Sequence, residues 1–252
     1  MERERFLERV RRALGRGGVH GAAKRTRGVT GLGRADHPGD DPAAWPERFA
    51  RELAAVKGSC EILSDPEAGA GPAAGAVAAA CVRYARTHQL RRVVAWDPTA
   101  LATSPHGKDP DDTGQTLGGV LVALQEEGCE VTPWRGEDAA SLRRAAAAAE
   151  LGIVVAHSAI AASGTVAVVH GPGRGRAVSL LPEHLLVLVP RDVLVPTLPD
   201  ALARLAARFG AADPAAAPQN ISLITGPSKS SDIELHPVVG VHGPRFVHAV
   251  VY

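Results

Sequence analysis

Four short segments hold most of the side chains that could do chemistry in this 252-residue chain. Ala159-Ile160-Ala161-Ala162-Ser163-Gly164-Thr165 lies between two strand-like runs. Its small residues let backbone amides come close to a ligand, and the same run serves equally as a tight β-connection. Arg174-Gly175-Arg176-Ala177-Val178-Ser179-Leu180-Leu181-Pro182-Glu183-His184 sets two guanidinium groups, a hydroxyl and an imidazole ahead of an apolar run. A guanidinium is a planar fork for carboxylate or phosphate, and a histidine near its ordinary pKa of about 6.5 can donate or accept a proton. Solvated arginines and a hydrogen-bonded structural histidine account for the same residues.

Thr225-Gly226-Pro227-Ser228-Lys229-Ser230-Ser231-Asp232-Ile233-Glu234 follows a strand candidate and offers hydroxyls, an ammonium group and backbone amides to an anion. Its spacing is not that of a Walker loop, and capping of a short helix by Ser228 or Ser230 explains it equally well. Gly240-Val241-His242-Gly243-Pro244-Arg245 is a turn by its glycines and proline, with His242 and Arg245 as polar candidates.

Elements that could position these segments follow from periodicity. Pro46 opens a helix over residues 46–57, with Phe49, Leu53 and Val56 on one face and Gly58 as its stop. Strand-like Cys60–Leu63, an Ala-rich helix around Pro72–His88, strand-like Val93–Trp96, a helix over Leu117–Glu127, a short strand Glu130–Thr132 and a helix over Glu137–Glu150 come next. This alternation predicts an α/β fold whose mostly parallel sheet is covered on both faces, with ligands at the C-terminal ends of its strands. From residue 151, Ile153–Ala156, Thr165–Val169 and Leu185–Val189 are joined by segments that read as too short for crossover helices, which predicts an antiparallel or mixed section. Leu198–Phe209 reads as an amphipathic helix, and Ile221–Thr225 and Phe246–Val251 as strands.

Composition excludes several classes. With 45% hydrophobic, 22% charged and 4% aromatic residues, the chain is globular in composition and builds its core from aliphatic side chains. Cys60, Cys81 and Cys129 lack the close spacing of a zinc or iron–sulfur clip, so no metal site is expected and the thiols read as packing residues. No apolar run approaches a membrane span, and Met1–Leu14 is charged throughout, which predicts a cytoplasmic protein. Residues 1–34 hold ten Lys or Arg against three Glu. Phe6, Leu7, Val10 and Leu14 predict a short amphipathic helix there, followed by a Gly- and Arg-rich linker. The arm lacks interleaved aromatics, so nucleic-acid binding is not expected. Two units are predicted, the basic arm at 1–34 and an α/β domain at 35–252.

Taken in order, Ala-Ile-Ala-x-Ser-Gly-Thr at 159–165, Ser-Leu-Leu-Pro-x-His at 179–184, Gly-Pro-Ser-Lys-x-x-Asp-Ile-Glu at 226–234 and Gly-Val-His-Gly-Pro at 240–244 resemble the LUD family. The resemblance is carried by the last hundred residues and implies a three-layer, Rossmann-like α/β fold of the NagB, RpiA and CoA-transferase group. It also implies a cluster-free member of a system that oxidises L-lactate to pyruvate, acting with partners that carry iron–sulfur clusters. Relatives often have Glu before the Thr-Gly-Thr, whereas Ala162 stands here, so a general base supplied by that carboxylate is missing.

The first functional expectation is therefore an accessory subunit holding a small anionic ligand, with Ser163, Gly164, Thr165, Arg176, Ser179, His184, Gly226, Ser228, Lys229, Asp232 and His242 as the candidate site. His184 is the candidate catalytic residue if the chain is catalytic at all. A stand-alone transferase or ligase acting on a CoA thioester, sugar phosphate or folate is the alternative, with Glu183 and Glu234 as the carboxylates near the motifs. A third reading makes the basic arm a docking element for an acidic partner.

Overall fold

Aliphatic residues fill nearly every position of three successive neighbours in one sheet, and that pattern belongs to strands buried on both faces. The computed structural model describes residues 41–64, 74–102, 113–136, 138–209, 220–230 and 238–252. Its main sheet contains β1 (Ser59–Ile62), β2 (Arg92–Trp96), β3 (Glu130–Trp134), β4 (Leu151–Val155), β7 (His184–Val189) and β12 (Phe246–Val251). All are parallel, in the order β1-β12-β7-β4-β2-β3. Every residue of β4 and β7, and all of β12 but Phe246, is buried.

Helices cover this sheet, and each shows its cause in sequence. In α1 (Trp45–Ala55), Pro46 suits the first turn, where its missing N–H costs nothing, and Phe49 and Leu53 bury one face. The helix stops two residues before the expected bound. Its last turn closes by Lys57 N–H to Ala54 O and Gly58 N–H to Leu53 O, each at 2.9 Å. Lys57, at φ 71°, takes the left-handed position in place of the expected glycine. α2 (Ala74–Thr87) buries Val77, Cys81, Tyr84 and Ala85. After α3 (Pro98–Ala102) comes α4 (Thr113–Glu126), which buries Leu117, Val120, Leu121 and Leu124 at the predicted spacing. Asp138 caps α5 (Ala139–Ala148) by accepting from the Ala140 and Ser141 amides. Burial pushes the thiols of Cys60 and Cys81 up to about 12, which keeps them protonated as small apolar groups.

The predicted antiparallel section is corrected in part. β4 and β7, which contain most of Ile153–Ala156 and Leu185–Val189, are adjacent parallel strands of the main sheet, with Ile153 opposite Leu186. Between them residues 156–183 leave the sheet, and of the three predicted runs only that from Thr165 joins an antiparallel arrangement, with β5 as one partner. That second sheet has the order β8-β5-β6-β9, made of β5 (Ser158–Ile160), β6 (Thr165–His170), β8 (Leu194–Val195) and β9 (Asn220–Ile224). The short helix α6 (Ala177–Leu180) completes the excursion, and α7 (Leu198–Phe209) has the predicted bounds. α7 packs Leu205 and Phe209 on Ala167 and Val169 of β6. A second correction follows: β9 is an edge of the small sheet, antiparallel to β6, so it does not deliver residues 226–234 to the C-terminal edge of the main sheet. A two-stranded ribbon of β10 (Lys229–Ser230) and β11 (Val238–Val239) follows β9.

The predicted basic helix at Phe6–Leu14, its linker, Pro72, Asp232 and Glu234 lie outside the described residues. No described helix is long and apolar enough to cross a membrane.

Candidate functional site

Segments far apart in sequence meet at the C-terminal end of α1. Gly164 has φ +59°, and a Cβ there would stand 2.3 Å from Leu53 N. Gly226 has φ +71°, and its Cβ would stand 2.7 Å from a methyl of Val56. Both glycines are required by the approach of a loop to this helix end. Lys229 donates from Nζ to Val56 O at 2.9 Å. Thr165 Oγ1 shares hydrogen bonds of 2.8 Å with Ser163 Oγ and with Thr225 Oγ1. Ser228 N–H donates to Pro244 O, and Gly240 N–H to Ser228 O, which ties the 226–230 and 240–244 loops together. Three of the four sequence segments are thus joined here through helix packing and backbone pairing. His242 lies exposed on the last of them.

His184 sits close by, at the N-terminal end of β7. The backbone carbonyl before it, that of Glu183, accepts from the amides of Arg245 and Phe246. His184 Nδ1 shares a 3.0 Å hydrogen bond with Tyr84 Oη, and its ring stacks on Phe246 with centroids 4.5 Å apart. The next strand brings His248, whose ring stacks on Tyr84 at 4.5 Å and whose Nδ1 shares a 2.8 Å hydrogen bond with Ser59 Oγ. His88 lies 5.1 Å from the His184 ring. Burial, then the neighbouring His88, lowers the pKa of His184, and the same causes with Arg83 bring His248 down to about 4. Both imidazoles are therefore neutral at pH 7. Tyr84, buried beside them, is pushed up to about 12 and stays protonated. Among the described residues, no group of three or more His, Cys, Asp or Glu is placed to hold a metal ion.

The opposite rim of the sheet carries a different set. The chain goes from β2 to β3 on one side and then to β4 on the other, so strand order reverses between β2 and β4. In open α/β sheets a crevice forms outside the C-terminal ends of such strands. Asp97 follows β2 directly and is 6% exposed. Its carboxylate accepts from Arg135 Nε at 2.9 Å and Nη2 at 2.7 Å, and caps α3 by accepting from Thr99 N and Oγ1. The Arg135 hydrogen bond is the main cause holding Asp97 below the usual carboxylate range.

Loop 171–176 packs against these strand ends. Gly173 O accepts from Asp97 N at 2.8 Å, and Gly175 O from Trp96 Nε1 at 3.2 Å. A Cβ on Gly175 would lie 2.0 Å from the Trp134 ring. Arg174 is buried, its Nη1 3.4 Å from His157 Nε2. Burial first, then Arg174, keeps His157 well below its ordinary pKa. His170 at the end of β6 shares 2.9 Å with Ser222 Oγ and is lowered by burial, with Arg176 and Arg174 contributing. Arg176 is exposed, and its carbonyl accepts from Ser179 Oγ at 3.1 Å.

The predicted site residues therefore divide. Ser163, Gly164, Thr165, Gly226, Ser228 and Lys229 gather at the end of α1, with His242 on a loop joined to it and His184 nearby as the first residue of β7. Arg176 is elsewhere: its neighbour Gly175 packs at the end of β3, the edge strand opposite β1, while Lys229 bonds just ahead of β1. Ser179 is buried on α6. Tyr84, His88, His248, Asp97, Arg135, His157 and His170 were not singled out from sequence. Asp97 had a signal, since it directly follows a predicted strand of the parallel sheet. Tyr84 and His248 had none, because their meeting depends on α2 crossing a strand over 160 residues away.

Residues 115–252, more than half of the chain, match the LUD domain. Lactate utilization protein C of Halalkalibacterium halodurans is 40% identical over 126 residues, covering 50% of this chain and 53% of that protein. The protein of the same name from Exiguobacterium sp. is 38% identical over 118 residues, covering 47% and 50%. That of Bacillus subtilis is 38% identical over 118 residues, covering 47% and 48%. The chain thus spans about half the length of the curated relatives it matches. A DUF162 family protein from Deinococcus radiodurans, known from its crystal structure, superposes with a TM-score of 0.50 at 18% identity, over 84% of this chain and 98% of that one. This last likeness speaks for the fold alone.

Proposed function

The chain belongs to the LUD domain family, and from that premise we propose that it is a cluster-free accessory component of a system oxidising L-lactate to pyruvate, holding a small carboxylate at the C-terminal rim of its parallel sheet. The names of its relatives support the lactate role. One observation supports the ligand site: Arg135 and Arg176 leave the chain beside the Trp134–Gly175 contact, at the C-terminal end of β3, next to β2, on whose other side the strand order reverses. A guanidinium binds carboxylate through two parallel hydrogen bonds, and a crevice of this kind is where α/β sheets take ligands. Partners carrying iron–sulfur clusters would perform the electron transfer. The chain's part is to bind and orient the 2-hydroxy or 2-oxo acid.

The transferase alternative has less support. A covalent route needs a carboxylate nucleophile, and Glu183 lies on the opposite rim from the crevice, 3.4 Å from Arg245.

Calorimetric titration of the chain with L-lactate and with pyruvate tests the ligand. Saturable binding that weakens at least tenfold in Arg176→Ala, with an unchanged melting temperature, is the expected result. Absence of binding to either acid removes the ligand claim, and unimpaired growth of a deletion strain on L-lactate as sole carbon source removes the role.

A further inference from the structure

β9 is the end strand of the small sheet, and among the described residues no strand pairs with its outer edge. Its register sets Leu223 opposite Ala167 and Ile221 opposite Val169 of β6. Paired residues share a face, so both point to the side where Leu205 and Phe209 of α7 cover that β6 pair. The cover does not extend across β9: Ile221 remains 41% exposed and Leu223 46%. Arg204 of α7 bonds Asp192, which precedes β8 at the far end of the sheet. At 100° per residue, Leu202 falls on the other flank of the helix, toward β9, and is 40% exposed.

The strand Asn220-Ile221-Ser222-Leu223-Ile224 has no charge, proline or glycine. Natural edge strands are normally blunted by such residues, and an open, uncharged, apolar edge pairs with another strand. We propose that β9 pairs with β9 of a second copy, antiparallel about a two-fold axis through Ser222. An antiparallel pair of identical strands is self-complementary, as a closed symmetric contact requires. Ile221 of each copy then stands opposite Leu223 of the other, all four on the α7 face and flanked by the two α7 helices. Ser222 points to the other face, where its hydroxyl is held by His170. The two four-stranded sheets become one of eight. The occupant is a second copy because the seam offers an apolar pattern that matches its own reverse, and no charge for an ionic partner to recognise.

Light scattering on the eluting full chain is expected to give twice the 26.1 kDa chain mass, and Leu223→Lys to give the single-chain mass with an unchanged circular dichroism spectrum. A single-chain mass for the native protein at the highest attainable concentration overturns the proposal, as does a Leu223→Lys protein that keeps the doubled mass. Should that variant fail to fold, amide exchange in the native protein decides: the β9 amides directed away from β6 exchange slowly if the seam forms and at the rate of open amides if it does not.

Discussion

The Lys229 amine donates to the carbonyl of Val56 across 173 positions of sequence, and so closes the negative end of α1 with a positive charge. A segment that looked from its Ser-Lys-Ser composition like an anion cradle instead fastens a helix terminus.

Replacing this lysine should therefore act on folding. Lys229→Met is expected to lower stability by about 0.5–1 kcal/mol, seen as a lower urea midpoint, and to leave lactate affinity unchanged. Lost affinity with an unmoved midpoint would return the amine to the ligand.

Gly164 supports the same junction more sharply. Gly164→Ala places a methyl group 2.3 Å from Leu53 N on a residue with φ +59°, and is expected to cost about 2–4 kcal/mol. Urea unfolding within about 0.5 kcal/mol of the native protein would show that α1 and this loop are not in contact.

Acid should loosen the histidine cluster. The unfolded chain protonates a histidine below about pH 6.5, whereas folded His248 resists protonation until about 4. Its contribution is whole above the first value and drains as pH falls toward the second, on the order of 3 kcal/mol in all. His184, also lowered, works in the same direction. Melting temperatures are expected to fall between pH 7 and pH 4, with a shallower fall in His248→Gln. An identical slope in that variant would assign the sensitivity to other groups.

Asp97 competes with any carboxylate ligand for Arg135. In Asp97→Asn the caps to Thr99 persist while the charge goes, so lactate affinity is expected to rise several-fold. The stability cost should be small, because the Arg135 side chain is 60% exposed and water screens the pair. Unaltered or weaker binding in calorimetry would place the ligand away from Arg135.

Strand and helix identities were legible where periodicity or uniform burial spoke locally. The α4 face and the bounds of α7 and β12 follow directly from residue spacing. The pairing of β4 with β7 was not legible, since residues 156–183 contain strand-like runs of their own and nothing local says that they leave the sheet. The site was legible in its residue types and misread in its assembly. Arg176, on a loop, and Lys229, in the β10 ribbon strand, fall at opposite edges of the sheet, and only strand order, a non-local property, sets that. Gly164 and Gly226 looked like ligand glycines because a close helix and a close ligand make the same demand on backbone.

In the main sheet β12 lies between β1 and β7, pairing Ser59 with His248 on one side and Leu185 with Val247 on the other. During synthesis β1 emerges early yet has no neighbour until residues 246–251 leave the ribosome. The edge of the sheet is therefore assembled after translation of those residues, and a nascent chain stalled before Phe246 exposes an unpaired β1 and the open edge of β7 to chaperones and proteases.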